Sequence, residues 1–215
     1  MIALDACQSY MEAWLREFSF LPQSLPAELA QAQAAHLSLQ AYCWQNALAE
    51  VRLVRIRGKA ASIFNCLIFP HCPERSPVFV AELLATGGQL RLAFVDVQTP
   101  GMLNTRPILQ QTARLAQRHA AMNHPEPAPR WAMTYSSGSP LYLRPTTQRE
   151  LPMTDLYSDY LRVWSEFAQP QPPCSSPELQ AFKEHHLLES PVSEYLSSVF
   201  GSNWVSRFLI EFLYR

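Results

Sequence analysis

Apolar residues are densest between Ser62 and Val97, where the runs SIFNCLIF, VFVAELLA and LRLAFVDV are separated by proline-rich or glycine-rich breaks. Runs of this length between turn residues read as strands. SIFNCLIF is apolar at every central position except Asn65, the pattern of an inner strand covered on both faces. Pro70 ends it, PHCPERSP is too stiff and polar to continue it, and Pro77 opens the next run. Gly87 and Gly88 both accept positive φ and predict a tight hairpin, so Leu90–Asp96 returns antiparallel. Val51–Arg57 precedes this group with β-rich composition and sets Arg55, Arg57 and Lys59 at spacing two. A meander of three or four strands results.

Helical periodicity brackets the strands. Residues 4–18 place Leu4, Tyr10, Trp14, Leu15 and Phe18 near one face, and Ala27–Leu37 is a second candidate rich in Ala and Gln. Pro107 suits the first turn of a helix running to about Ala121. Asn123–Arg130 is a loop by composition, and Trp131–Tyr135 and Leu141–Arg144 read as short strands around SSGSP. A helix from Asp155 to Phe167, capped by Thr154, carries Leu156, Tyr160, Val163, Trp164 and Phe167 as its apolar stripe. After the linker QPQPPCSSP the chain is helical to its end, with breaks at Pro191 and at Phe200-Gly201. Strands flanked by helices predict an α+β fold, a three-layer α/β/α sandwich around a central antiparallel sheet. At 215 residues, one domain spanning 1–215 is the expectation.

Composition narrows the partners. With 17 basic and 18 acidic residues, the net charge of -1 argues against a nucleic-acid surface. Asp5, Glu12, Arg16 and Glu17 interrupt the N-terminal apolar residues, and no run of about eighteen uncharged apolar residues occurs, so neither a signal peptide nor a membrane span is expected. The 5 cysteines are odd in number and form no CxxC pair, which fits reduced thiols in a cytoplasmic protein without a metal site. Adjacent His185 and His186 point about 100° apart on a helix and read as part of a solvated face.

No GxGxxG, P-loop, HExxH or GxSxG motif is present. One carboxylate stands out. Asp96 ends a strand among Leu92, Phe94, Val95 and Val97, where desolvation would raise its pKa toward the range useful for proton delivery. An Asp that accepts turn N–H groups in DVQTP fits the same pattern, and the residues alone leave both readings open.

The segment FPHCPERSPVFVAELLATGGQLRLAFVDVQTP resembles the core of ferredoxin-dependent bilin reductases, which carry a Phe-Pro, a Pro-x-Phe strand, a Gly-Gly turn and an aspartate before a proline turn in this order. Cys43-Trp44-Gln45, Trp131, Leu143-Arg144-Pro145, and Phe200-Gly201 followed by Trp204 resemble further family motifs, so the likeness covers roughly residues 40–215. It implies an open-chain tetrapyrrole, biliverdin IXα, held between the sheet and the C-terminal helices. It also implies a cytoplasmic monomer with no tightly bound cofactor, no metal, and no nucleic-acid or membrane partner. Electrons would come singly from reduced [2Fe-2S] ferredoxin, through bilin radicals. Donors near about −400 mV suffice when reduction is coupled to protonation, so a buried acid beside the pigment is required.

On this resemblance Asp96 is the main proton donor, Arg144 anchors a propionate, and Leu67, Phe79 and Trp131 line the pocket. Asn65 could bond a pyrrole lactam or a neighbouring loop. The row of Arg55, Arg57 and Lys59 could meet acidic ferredoxin or face solvent. Leu67 and Phe79 stand where four-electron, phycocyanobilin-forming members carry a glutamate and a histidine, which points to a two-electron reduction to a phycobilin or dihydrobiliverdin. A second family aspartate falls near Ser190, with Glu189 adjacent as a substitute. Two other readings stand beside this one: a non-catalytic tetrapyrrole carrier on the same fold, and a reductase of another linear tetrapyrrole such as a chlorophyll catabolite.

Overall fold

A computed structural model describes residues 3–34, 36–122, 128–145 and 152–215. Its centre is an eight-stranded, antiparallel sheet built from β1 (Leu21–Gln23), β2 (Gln31–Ala34), β3 (Leu37–Gln45), β4 (Ala49–Gly58), β5 (Ala61–Pro70), β6 (Val78–Thr86), β7 (Gln89–Gln98) and β8 (Leu141–Leu143). The order is β1-β3-β4-β5-β6-β7-β8, and β2 shares the outer edge of β3 with β1. Each neighbour from β3 to β7 follows its predecessor in sequence, as short turns dictate. The β6–β7 turn uses Gly87 at φ 55° and Gly88 at φ 78°, both in the left-handed region, as the Gly-Gly pair predicted.

Helices α1 (Ala3–Glu17), α3 (Arg106–Arg118) and α5 (Met153–Phe167) share one apolar cluster with the sheet. The other cluster takes in the short α4 (Arg130–Met133), α6 (Pro177–Glu189), α7 (Val192–Phe200) and α8 (Ser202–Phe208), which runs into a wider π turn at Leu209–Leu213. Strand alternation divides the two. Phe64, Cys66 and Ile68 of β5 pack with the first group, whereas Leu67 and Phe69 pack with the second. Trp164 of α5 is fully buried, and its indole N–H donates to the Pro77 carbonyl oxygen at 2.8 Å. Burying about 200 Å² of such a ring contributes at most about 5 kcal/mol before chain entropy is counted.

Four expectations from the sequence are corrected here. The helix read over Ala27–Leu37 is only the short α2 (Ala27–Ala30), because Gln31–Ala34 pairs with β3 instead, and edge pairing outweighs the helix propensity of Ala and Gln. Trp131–Tyr135 is not a strand. Residues 130–133 form α4 after Pro129, and the Trp131 ring meets His186 of α6 edge-on at 5.9 Å. Thr154 does not cap α5, which begins at Met153 with no side-chain cap. His186 does not lie on a solvated face: it is 3% exposed and its ring sits 4.3 Å from that of Phe182. Most of the loop read over 123–130 lies outside the described residues.

Candidate active site

Side chains of one parity on β4 to β8 face the second cluster, beneath α6, α8 and the C-terminal turn. The register fixes their rows. Asn65 pairs with Glu82, and Glu82 with Phe94; Leu67 pairs with Val80, and Val80 with Asp96; Val78 pairs with Gln98. Polar groups therefore stand in the middle of an apolar face, where the hydrophobic effect alone would not put them.

Asp96 is fully buried. Its Oδ1 accepts the Val97 N–H at 2.9 Å and the Ser137 hydroxyl at 2.5 Å, and Oδ2 accepts the Ser137 N–H at 3.0 Å. Burial raises its pKa, opposed by the bonds from the Ser136–Ser137 turn and from Val97, and the upward shift wins. The SSGSP turn, legible in the sequence only as a turn, thus wraps the carboxyl.

Asn65 is buried and donates from Nδ2 to Glu82 Oε1 at 3.3 Å, and its own Oδ1 has no partner among the described residues. Gln98 is fully buried, and neither polar atom of its amide is bonded among the described residues. Glu82 is half-buried, and desolvation lifts its carboxyl to about 7. Sequence reasoning passed over Glu82 and Gln98. The signal was the spacing Val78, Val80, Glu82, Leu84, which puts a carboxylate on the inward parity of a central strand.

The C-terminal turn is fastened over this face. Arg52, 2% exposed, forms an ion pair with Glu50 at 2.8 Å and donates to the carbonyl oxygens of Leu213 at 3.1 Å and Arg215 at 3.2 Å. Lys183 donates to Arg215 O as well, and both cations lie over the Phe69 ring. Toward the β6–β7 hairpin the cover thins, since Ile63, Leu84 and Leu92 of the same parity remain partly exposed.

The other site residues fall out unevenly. Leu67 is buried in the row of Val80 and Asp96, and Trp131 lies half-buried at the margin of the same cluster. Arg144 is exposed just past β8, two residues beyond Tyr142 of this face. Phe79 does not line this face. Odd positions on β6 point the other way, and its ring packs edge-on against Tyr157 of α5 at 5.5 Å, so Val80 takes its place between Leu67 and Asp96. Glu189 is also misplaced as a second donor, because it ends α6 exposed to solvent while Ser190 turns inward. Of the basic row, Arg55 is 2% exposed and bonds Asp5 of α1 at 2.5 Å, and Arg57 leans on the same carboxylate. Among the described residues no three His, Cys, Asp or Glu side chains gather as a metal site, and no helix is long and apolar enough to cross a membrane.

Known proteins of the same kind exist. The chain matches the model of the ferredoxin-dependent bilin reductase family over residues 7–215. It is 26% identical to a phycocyanobilin:ferredoxin oxidoreductase of Trichodesmium erythraeum (strain IMS101), across 99% of this chain and 92% of the relative. Identity is 23% to a 15,16-dihydrobiliverdin:ferredoxin oxidoreductase of Nostoc punctiforme, across 91% and 86%. The fold superimposes on phytochromobilin synthase from tomato, solved in complex with biliverdin, with a TM-score of 0.70 at 12% identity, covering 96% of this chain and 82% of that one. With nearly every residue inside the match, this chain belongs to the ferredoxin-dependent bilin reductase family.

Proposed function

We propose that this protein reduces biliverdin IXα by two electrons, taken singly from two molecules of reduced ferredoxin, with Asp96 delivering a proton to the pigment. Two electrons and two protons add across one double bond and give a phycobilin or dihydrobiliverdin. The observation that carries the reading is Asp96 itself, an acid of raised pKa fully buried on the sheet face beneath the C-terminal helices. Burial keeps the carboxyl in its protonated form up to higher pH, and the Ser137 donors then stabilise the carboxylate left after transfer. Leu67, Val80 and Phe94 offer an apolar wall for the pyrrole rings, and Arg144 at the exposed margin reaches a propionate. The names of the relatives, each a ferredoxin oxidoreductase of a bilin, support the same chemistry.

One observation favours a second reading, a pigment carrier without turnover. Ser137 and Val97 already occupy both oxygens of Asp96, as they would in a purely structural aspartate. An anaerobic assay with biliverdin, ferredoxin and a reducing system separates the two. A shift in the bilin absorption bands with turnover supports the reductase, and bound pigment whose spectrum never changes supports the carrier. Asp96→Asn should retain binding and lose turnover; undiminished turnover removes the proton role.

A further inference from the structure

Residues 168–176 join α5 to α6 without regular structure, yet the segment is tied down on both sides of its proline run. Gln169 donates its backbone N–H to the Ser76 hydroxyl at 3.0 Å, and the Cys174 N–H donates to the His71 carbonyl oxygen at 2.9 Å. The second bond lays Cys174 beside Cys72, and their Sγ atoms are 3.1 Å apart. The loop that carries Cys72 is itself held, since the N–H groups of Arg75 and Ser76 both donate to the Cys72 carbonyl oxygen. Two thiols 102 positions apart in the chain therefore meet on backbone that is fixed on both sides.

The two sulfurs differ in access. Cys174 is exposed and Cys72 is 9% exposed, so a reagent in solution meets Cys174 first, with Cys72 directly behind it. Cys7, Cys43 and Cys66 are buried, and burial pushes each of their thiols up to about 12, which leaves them poor nucleophiles. Closing a disulfide between Cys72 and Cys174 shortens their separation by only about 1 Å. The helix that follows, α6, lays Phe182 against Phe69 on the sheet face of the candidate site, and it begins three residues beyond Cys174.

We propose that Cys72 and Cys174 form a reversible disulfide that fastens the lead into α6 to the β5–β6 loop and so slows pigment entry beneath that helix. The oxidant is a small disulfide, oxidised glutathione. The Cys174 thiolate attacks one of its sulfurs, the S–S bond of the oxidant breaks, and one glutathione thiol leaves. Cys72 then attacks Cys174 Sγ in the mixed disulfide, the second glutathione thiol leaves, and the Cys72–Cys174 bond forms. Two electrons pass from the pair to the oxidant, and the two thiol protons go to the departing thiolates. Because the Cys174 S–H donates to Cys72, its thiol is held up at about 11, and the first step is slow near neutral pH.

The test incubates the reduced full chain with oxidised glutathione, counts its free thiols and maps its peptides by mass. Two of the 5 thiols should disappear, one peptide should link residues 72 and 174, and dithiothreitol should restore both thiols. The oxidised protein should melt about 5 °C or more above the reduced one, since the bond closes a long loop. It should also bind biliverdin about threefold or more slowly. Cys174→Ser, a change at an exposed side chain, should show neither shift after the same treatment. Five remaining thiols, or glutathione stably retained on Cys174, overturn the pairing, and equal melting temperatures overturn the fastening. Only the pigment measurement rests on the site reading above. An unchanged binding rate overturns the restraint on entry, whereas a protein that binds no biliverdin in either form defeats the site reading, and the thiol count and melting shift still decide the disulfide.

Discussion

The hydroxyl of Ser137 lies 2.5 Å from Asp96 Oδ1, joining the end of β7 to a turn 41 residues further along the chain. Ser137→Ala removes one hydroxyl donor to a buried carboxylate and keeps the backbone N–H bonds of Ser137 and Val97. Urea unfolding should show a loss of about 1–2 kcal/mol. Losing a donor to the charged form also raises the Asp96 pKa further, so the alkaline side of the pH–rate profile should move up. A profile that does not move separates Asp96 from the rate.

Arg52 ties β4 to the C-terminal turn through Leu213 O and Arg215 O. Arg52→Ala leaves Glu50 without its close partner and unfastens the cover of the candidate site. Breaking a buried pair costs about 3–5 kcal/mol. Hydrogen exchange should therefore speed up over residues 205–215 before it does in the sheet, and biliverdin affinity should fall. Arg52→Ala with unchanged exchange there would show that helix packing alone holds the turn.

Two buried titrations act against each other in the pH dependence of stability. Native Glu82 holds its proton up to about 7 against 4.5 for the free carboxyl, so its contribution is complete below about 4.5 and is lost as pH rises to 7. His186, lowered by burial to about 4 from 6.5, contributes above 6.5 and loses that contribution as pH falls to 4. Each amounts to about 3 kcal/mol at most, and the two nearly cancel. Unfolding midpoints of the wild type should stay flat between about pH 4.5 and 6.5 as far as these groups are concerned. Glu82→Gln should leave stability rising with pH across that window, and His186→Phe should leave it falling.

Arg55 is a buried guanidinium held, among the described residues, by the one carboxylate of Asp5, with its Nε and Nη1 unpartnered there. Asp5→Ala leaves that charge with no partner and should cost about 1–3 kcal/mol. Arg55→Met should be neutral or stabilising, since an apolar side chain of similar length avoids the desolvation cost. At 2% exposure Arg55 cannot reach a docking protein, so the ferredoxin concentration for half-maximal rate should be the same in Arg55→Met. A large increase would place this strand in the ferredoxin contact.

Much of the scaffold was legible locally. The Gly87-Gly88 turn, the proline stops at 70 and 77, the strands through Asp96 and the helical stripe from Leu156 to Phe167 each follow from residues a few positions apart. The alternation Leu37, Leu39, Ala41, Cys43 also marks β3, although the residues ahead of Val51 were read without a strand. Asp96 and its buried setting were visible too, because an acid inside an apolar strand is a local anomaly.

What the sequence determined by itself, then, is the meander and its one conspicuous acid; what only the tertiary structure decided is which side chains share its face and what covers them. Sheet parity moves Phe79 away from Asp96 and brings Val80 to it, since one residue of shift reverses the face. Asp5 of α1 takes Arg55 out of solvent, α6 ends with Glu189 outside, and pairing across β5 and β6 sets Asn65 against Glu82. These relationships join residues 16 to 50 positions apart. Local propensity has no term for them, because burial and charge pairing depend on the element that arrives from elsewhere in the chain.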